Sequence, residues 1–160
     1  MKPDASLRDH LVKLLDWKDS HATFDAAVEG VPIEDRGKIP PGASHSLWQL
    51  VEHLRLAQHD IHDFCVHAEY EEMDWPDDYW PFDPVPPSET EWDESLAGYR
   101  EDRALMIELA RNESIDLHAR IPHGTGQSYL REILLVADHN AYHIGQIVLV
   151  RKLLGCWPAA

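Results

Sequence analysis

The sequence predicts an all-α protein, a four-helix bundle, and three observations point there. Apolar residues recur at three- and four-residue steps along four long stretches. Each stretch is bracketed by residues that start or stop helices. Between them no segment alternates apolar and polar residues as a half-buried strand does. At 160 residues and 44% hydrophobic content, the chain fits one domain, residues 1–160, around one core.

Helix one is expected over residues 4–29, where Leu7, Leu11, Leu14, Trp17, Phe24 and Val28 share a face before Gly30 and Pro32 end it. The following VPIEDRGKIPPGAS is rich in proline and glycine and reads as a connection, closed by a helix cap at Ser44 or Ser46. Helix two then runs over residues 47–68. Residues 70–87, YEEMDWPDDYWPFDPVPP, contain five prolines among acids and aromatics, which forbid a continuous helix and disfavour a strand. They form a long arm between helices two and three. Trp75, Tyr79, Trp80 and Phe82 suit it to cover a pocket mouth as a lid, to pack onto the bundle, or to meet a dimer mate.

Ser88 followed by Glu91 is a capping box, and helix three continues through Trp92, Leu96, Tyr99, Met106 and Ala110 to Arg111. NESIDLHARIPHGTG is a further loop. Helix four covers residues 128–154 and stops at Gly155, with Pro158 just beyond. The long connections leave the order of up and down helices open.

Charge narrows the function. Fourteen lysines and arginines against 29 acids give a net charge of -15, which repels nucleic acid before any specific contact forms. No run approaches the ~20 apolar residues of a membrane span, and MKPDASLRDH lacks the order of a signal peptide. A cytoplasmic protein is expected. Two cysteines, Cys65 and Cys156, are too few for a disulfide framework and read as reduced, packed thiols.

Eleven histidines are the compositional excess with chemical content. In "ADHNAYHIGQ", His139 and His143 lie four apart and share a helical stripe, within about 60° of His139, with Leu135, Val136, Val150, Glu132 and Gln146. Imidazoles on such a stripe need partners, and a shared metal ion would satisfy both. On helix two His53 points inward, whereas His59 and His62 fall on the opposite, charged side. A third inward imidazole from a facing helix would complete a set of three neutral ligands with a coordination position left open, as catalytic metal sites require. His21, on the Leu14, Trp17, Phe24 and Val28 stripe with His10 below it, suits either a core hydrogen bond or the lining of a pocket.

The order "SLWQLVEHL" followed by "DHNAYHIGQ", together with "DSHATFDAAVEGVP", "WPDDYWP" and "IVLVRKLLGCWP", resembles the DinB/YfiT-like superfamily over nearly the whole chain. The resemblance implies an up-down-down-up bundle, often a homodimer, with a divalent metal held by three histidines. Position by position these are His53, His139 and His143. It also implies a small-molecule substrate and the company of metal-dependent enzymes that use low-molecular-weight thiols, such as bacillithiol and mycothiol S-transferases.

The function expected is therefore a metal-dependent thiol S-transferase, with zinc, nickel, iron or manganese as the cofactor. Gln146 and Asp60 are expected to orient a ligand or the substrate, with interhelical hydrogen bonding as the alternative for both. Hydrolysis with Glu132 or His21 as base, and a non-catalytic metal- or ligand-binding module, are the competing expectations.

Overall fold

The computed structural model describes residues 3–158. These residues are helical, with no strand among them: α1 is Pro3–Leu15, α2 Phe24–Val28, α3 Leu47–Val66, α4 Glu89–Arg111 and α5 Tyr129–Leu154.

Helix one departs from expectation, because the single helix over residues 4–29 is two helices. Asp16 N–H donates to the Lys13 carbonyl at 3.2 Å and closes α1. Thr23 then starts α2 by accepting from Ala26 N–H at 3.2 Å. The polar run between them competes for backbone hydrogen bonds, and Arg103 fixes the break by binding Asp16 at 3.2 Å and Asp25 at 3.0 Å. A helical projection across residues 16–23 therefore has no physical basis.

The other three long helices start and stop where their caps place them. Ser46, one of the two candidate caps, starts α3 with a full capping box, donating N–H to Gln49 Oε1 at 3.2 Å and accepting from Gln49 N–H at 3.1 Å. Ser88 accepts from Glu91 N–H at 3.1 Å, and Ser128 from Arg131 N–H at 3.3 Å. Gly155 ends α5 with φ 76°, a left-handed conformation that costs glycine little.

Interhelical contacts fix the directions. Arg8 on α1 reaches the Ala110 carbonyl at the far end of α4, while Asp16 meets Arg103, so α1 and α4 are antiparallel. Along α3, Arg55 packs on Gly98, Gln58 binds Tyr99 and His59 binds Asp102; rising numbers on both helices make α3 and α4 parallel. His53 meets His143 while Gln58 meets Asn140, so α5 runs against α3. The result is up-down-down-up.

Parallel neighbours need a connection that returns to its starting end, and the arm supplies it. It runs back along α3, tied in turn to Asp60 by the Tyr70 and Tyr79 hydroxyls at 2.8 and 2.7 Å, to His53 by the Tyr79 carbonyl, to Gln49 by the Pro81 carbonyl at 3.0 Å, and to Ser46 by the Pro84 carbonyl.

Two apolar clusters fill the bundle. One joins α2 to the first half of α3, the first half of α4 and the last half of α5, around the Phe24–Tyr99 stack. The other joins α1 to the opposite ends of the same helices, around Leu11, Met106 and Ile133. Between them, at His53 and Gln58 on α3 and at Asn140 and His143 on α5, buried side chains turn polar. By length and composition α5 could cross a membrane, with mean hydropathy 1.2. Its apolar residues serve both clusters, however, and Glu132, Asn140, His143 and Arg151 are buried along it.

Candidate metal centre

The polar waist brings His53, His139 and His143 together. All three offer ligand atoms within 4.8 Å of one another, and the ring nitrogens that meet are the Nε2 atoms. His53 Nε2 lies 3.0 Å from that of His139 and 3.2 Å from that of His143. His53 and His143 are buried at 1% and 7% exposure, and His139 keeps partial contact with solvent.

The opposite ring nitrogens decide what these contacts mean. His53 Nδ1 donates to the Tyr79 carbonyl at 2.9 Å, and His143 Nδ1 donates to Gln146 Oε1 at 2.6 Å. The Gln146 amide is oriented by its Nε2, which donates to the Tyr142 hydroxyl at 3.4 Å. A neutral imidazole carries one proton, so both rings present bare lone pairs at Nε2. The His53–His143 contact is therefore acceptor against acceptor.

His139 cannot repair this. Its Nδ1 is buried without a partner. With the proton on Nε2, His139 satisfies His53 alone and leaves its own Nδ1 empty; with the proton on Nδ1, three lone pairs face one another. Each unsatisfied buried group costs roughly 1–3 kcal/mol.

Protonation is no remedy either. Burial, the largest cause, pushes His53 down to about 3 and His139 down to about 4, and it lowers His143 as well. The rings are neutral at pH 7, the state in which imidazole binds metals. Nitrogens ~2.0–2.1 Å from one ion stand roughly 3–3.4 Å apart, so the observed separations fit a shared divalent cation.

The arm completes the surroundings. Trp80 lies flat on His53, with ring centroids 3.7 Å apart and planes within 7°, and meets His143 edge-on at 5.7 Å. His45 stacks on Trp80 in turn at 4.0 Å. Trp75 and Phe82 remain 68% and 97% exposed.

A family model decides the kinship: that of the DinB superfamily matches residues 16–147, spanning all three histidines. The chain belongs to the DinB superfamily. Among curated proteins and among solved structures no match is found, so within the superfamily the site must be read from this chain's own residues.

Of the residues singled out in the sequence, this DinB-superfamily chain unites His53, His139 and His143 and sets Gln146 on His143. Among the described residues Asp60 forms no hydrogen bond to an imidazole; its partners are the Tyr70 and Tyr79 hydroxyls. It holds Tyr79, whose carbonyl holds His53, and so acts on that ring through the arm. His21 stands outside the site, exposed, with Nδ1 donating to the neighbouring Ala22 carbonyl at 2.9 Å; it lines a separate small cleft with Leu14, Trp17 and Phe24. Glu132 is buried in a separate cleft shared with Asp60 and His123, where Arg131 binds both carboxylate oxygens at 2.7 and 2.9 Å. His59, expected in solvent, is largely exposed but binds Asp102 at 3.1 Å.

Sequence reasoning missed the Tyr79 carbonyl and His45. A backbone carbonyl leaves no trace in residue identity. His45 precedes a helix cap, where no periodicity indicates a direction. Trp80 was legible only as one aromatic of the arm. Cys65 is buried, and burial with the Glu132 charge pushes its thiol up to about 12, so it is not a nucleophile at neutral pH.

Proposed function

We propose that the protein holds one divalent transition-metal ion on His53, His139 and His143 and acts as a thiol S-transferase on a small molecule. The observation that carries the metal assignment is the pair of imidazoles, His53 and His143, whose protons are committed outward while their Nε2 lone pairs converge within 3.2 Å. Three neutral protein ligands leave a coordination position for substrate, unlike a structural zinc site closed by four.

When bound, such an ion lowers the pKa of a thiol that reaches it and so favours the thiolate. The chain's own residues prepare that event. Tyr79 and Gln146 fix the tautomers of His53 and His143, Trp80 shields one face of His53 from water, and the part-exposed edge of His139 leaves a side from which a small molecule can approach. The thiol comes from outside in this reading, since Cys65 is packed in the core with a raised pKa. Hydrolysis is less well supported, because Glu132 is bound to Arg131 in another cleft and His21 lies outside the site.

Metal analysis of tag-free protein is expected to find about one ion per chain. A panel of low-molecular-weight thiols with an electrophilic acceptor is then expected to show thioether formation that needs both metal and thiol. Stoichiometric metal without turnover of any thiol would leave a non-catalytic metal-binding module in place of the transferase.

A further inference from the structure

Arg36 is unusual among the chain's cations. With 29 acids against 14 lysines and arginines, a partly buried guanidinium lacking a carboxylate is unexpected. Arg8, Arg55, Arg100, Arg103 and Arg131 each hold one, and Arg151 binds backbone carbonyls. Arg36 has no hydrogen bond or ion pair from its side chain among the described residues, and its Nε is sealed from solvent without a partner. It lies 4.7 Å over the ring of Trp92, which is 2% exposed and so a fixed platform.

This guanidinium lines a cleft of about 610 Å³ between α2 and α4, walled by Val28, Val31, Leu96 and Arg100. Its volume lies within the range of small-molecule sites. Asp25 and Glu29 also line it, yet neither neutralises Arg36. Asp25 is already occupied, accepting from Arg100 Nε at 2.7 Å and from Arg103 Nη2 at 3.0 Å. Burial works against its ionisation, and the bonds from the two arginines outweigh that to hold its carboxyl below the usual range. Glu29 is exposed and forms no ion pair with Arg36 among the described residues. Arg100 uses only Nε on Asp25, which leaves its terminal N–H groups free to serve the cleft.

We propose that this cleft binds a small organic monocarboxylate, with the carboxylate on Arg36 and Arg100 and the rest of the molecule beside Leu96. A planar carboxylate matches the fork of a guanidinium, and the net charge of -15 selects against polyanions. The cleft shares no lining residue with the histidine cluster, so the proposal is independent of the metal reading.

The test is titration of the ¹⁵N-labelled full chain with benzoate and hexanoate, against benzyl alcohol, hexanol and inorganic phosphate, following the arginine Nε–H resonances. Saturable shifts of Arg36 and Arg100 with both carboxylates and with neither alcohol are expected. Arg36→Gln is expected to weaken binding by about ten-fold or more, and the exposed-surface change Arg100→Gln several-fold. If Arg36→Gln fails to fold, Arg100→Gln alone decides. The proposal is overturned if acids and alcohols shift alike, if no carboxylate saturates, if phosphate binds as tightly, or if the folded variants titrate as the parent does.

Discussion

Two of the polar contacts that join α3 to α5 at the waist of the bundle are built on opposite principles. In one, Asn140 Nδ2 donates to Gln58 Oε1 at 2.8 Å while Gln58 Nε2 donates to the Tyr99 carbonyl at 2.8 Å. Donor meets acceptor, and only Asn140 Oδ1 is left without a partner. In the other, less than two turns away, His53 and His143 face each other lone pair to lone pair, because the Tyr79 carbonyl and Gln146 hold their protons outward. Both contacts are buried and both bridge the same helices. The amide bridge pairs each of its donors with an acceptor and leaves over one acceptor oxygen, whereas the imidazole bridge sets acceptor against acceptor and needs a cation between them. Burial of polar groups is thus no sign of chemistry by itself; the sign is a set of acceptors whose donors have been directed elsewhere.

The sharpest way to break this comparison is to remove a ligand. His53→Ala is expected to take metal from about one ion per chain to below a tenth, by elemental analysis of tag-free protein, with helicity retained. Retention of stoichiometric metal would sink the three-histidine assignment. Acid comes next. His53 and His139 in the metal-free fold titrate far below the ordinary 6.5, at about 3 and about 4, so as pH falls below 6.5 the unfolded chain takes up protons that the folded chain refuses. The stability of chelator-treated protein is expected to be flat above that value and to drop steadily between about pH 6.5 and 4 by denaturant titration. His53→Leu is expected to flatten the slope, and a parent curve unchanged over this interval would count against buried, neutral rings.

Smaller effects sharpen the picture. Gln146→Leu removes the acceptor that fixes the His143 tautomer and is expected to weaken metal binding by about ten-fold in competition with a chelating dye. An unchanged affinity would show that His143 orients itself. Asp60→Asn acts one step further away, through the Tyr79 hydroxyl. A loss of a few-fold is expected, accompanied by faster amide exchange in residues 70–80, and metal loss without arm loosening would refute the route through the arm. Gln58→Leu is expected to leave metal stoichiometry untouched while costing about 1–3 kcal/mol of stability. Metal loss in that variant would erase the distinction between the two contacts.

Much of this was written in the chain. The apolar stripes of the last three long helices, Ser46, Ser88 and Gly155 as caps, and the prolines of residues 70–87 specified those helices and the arm because each signal acts within a few residues of itself. The i, i+4 spacing of His139 and His143 put both on one face of α5, and His53 was legible as inward by the same periodicity. His21 was only half legible for an equally local reason: it lines a cleft with Leu14, Trp17 and Phe24 as the stripe suggests, but Thr23 begins a new helix, and the ring is exposed outside the histidine cluster.

What the sequence by itself determined, then, was which residues share a helix face, since that depends only on backbone geometry and caps. Only the tertiary structure decided which nitrogen of each imidazole faces inward, because a carbonyl donated by Tyr79 from a distant turn of the arm, and not any neighbour in the chain, takes the proton of His53. It likewise decided that Arg36 forms no ion pair among the described residues in a chain rich in acids: pairing of charges depends on three-dimensional separation, and composition records only their number.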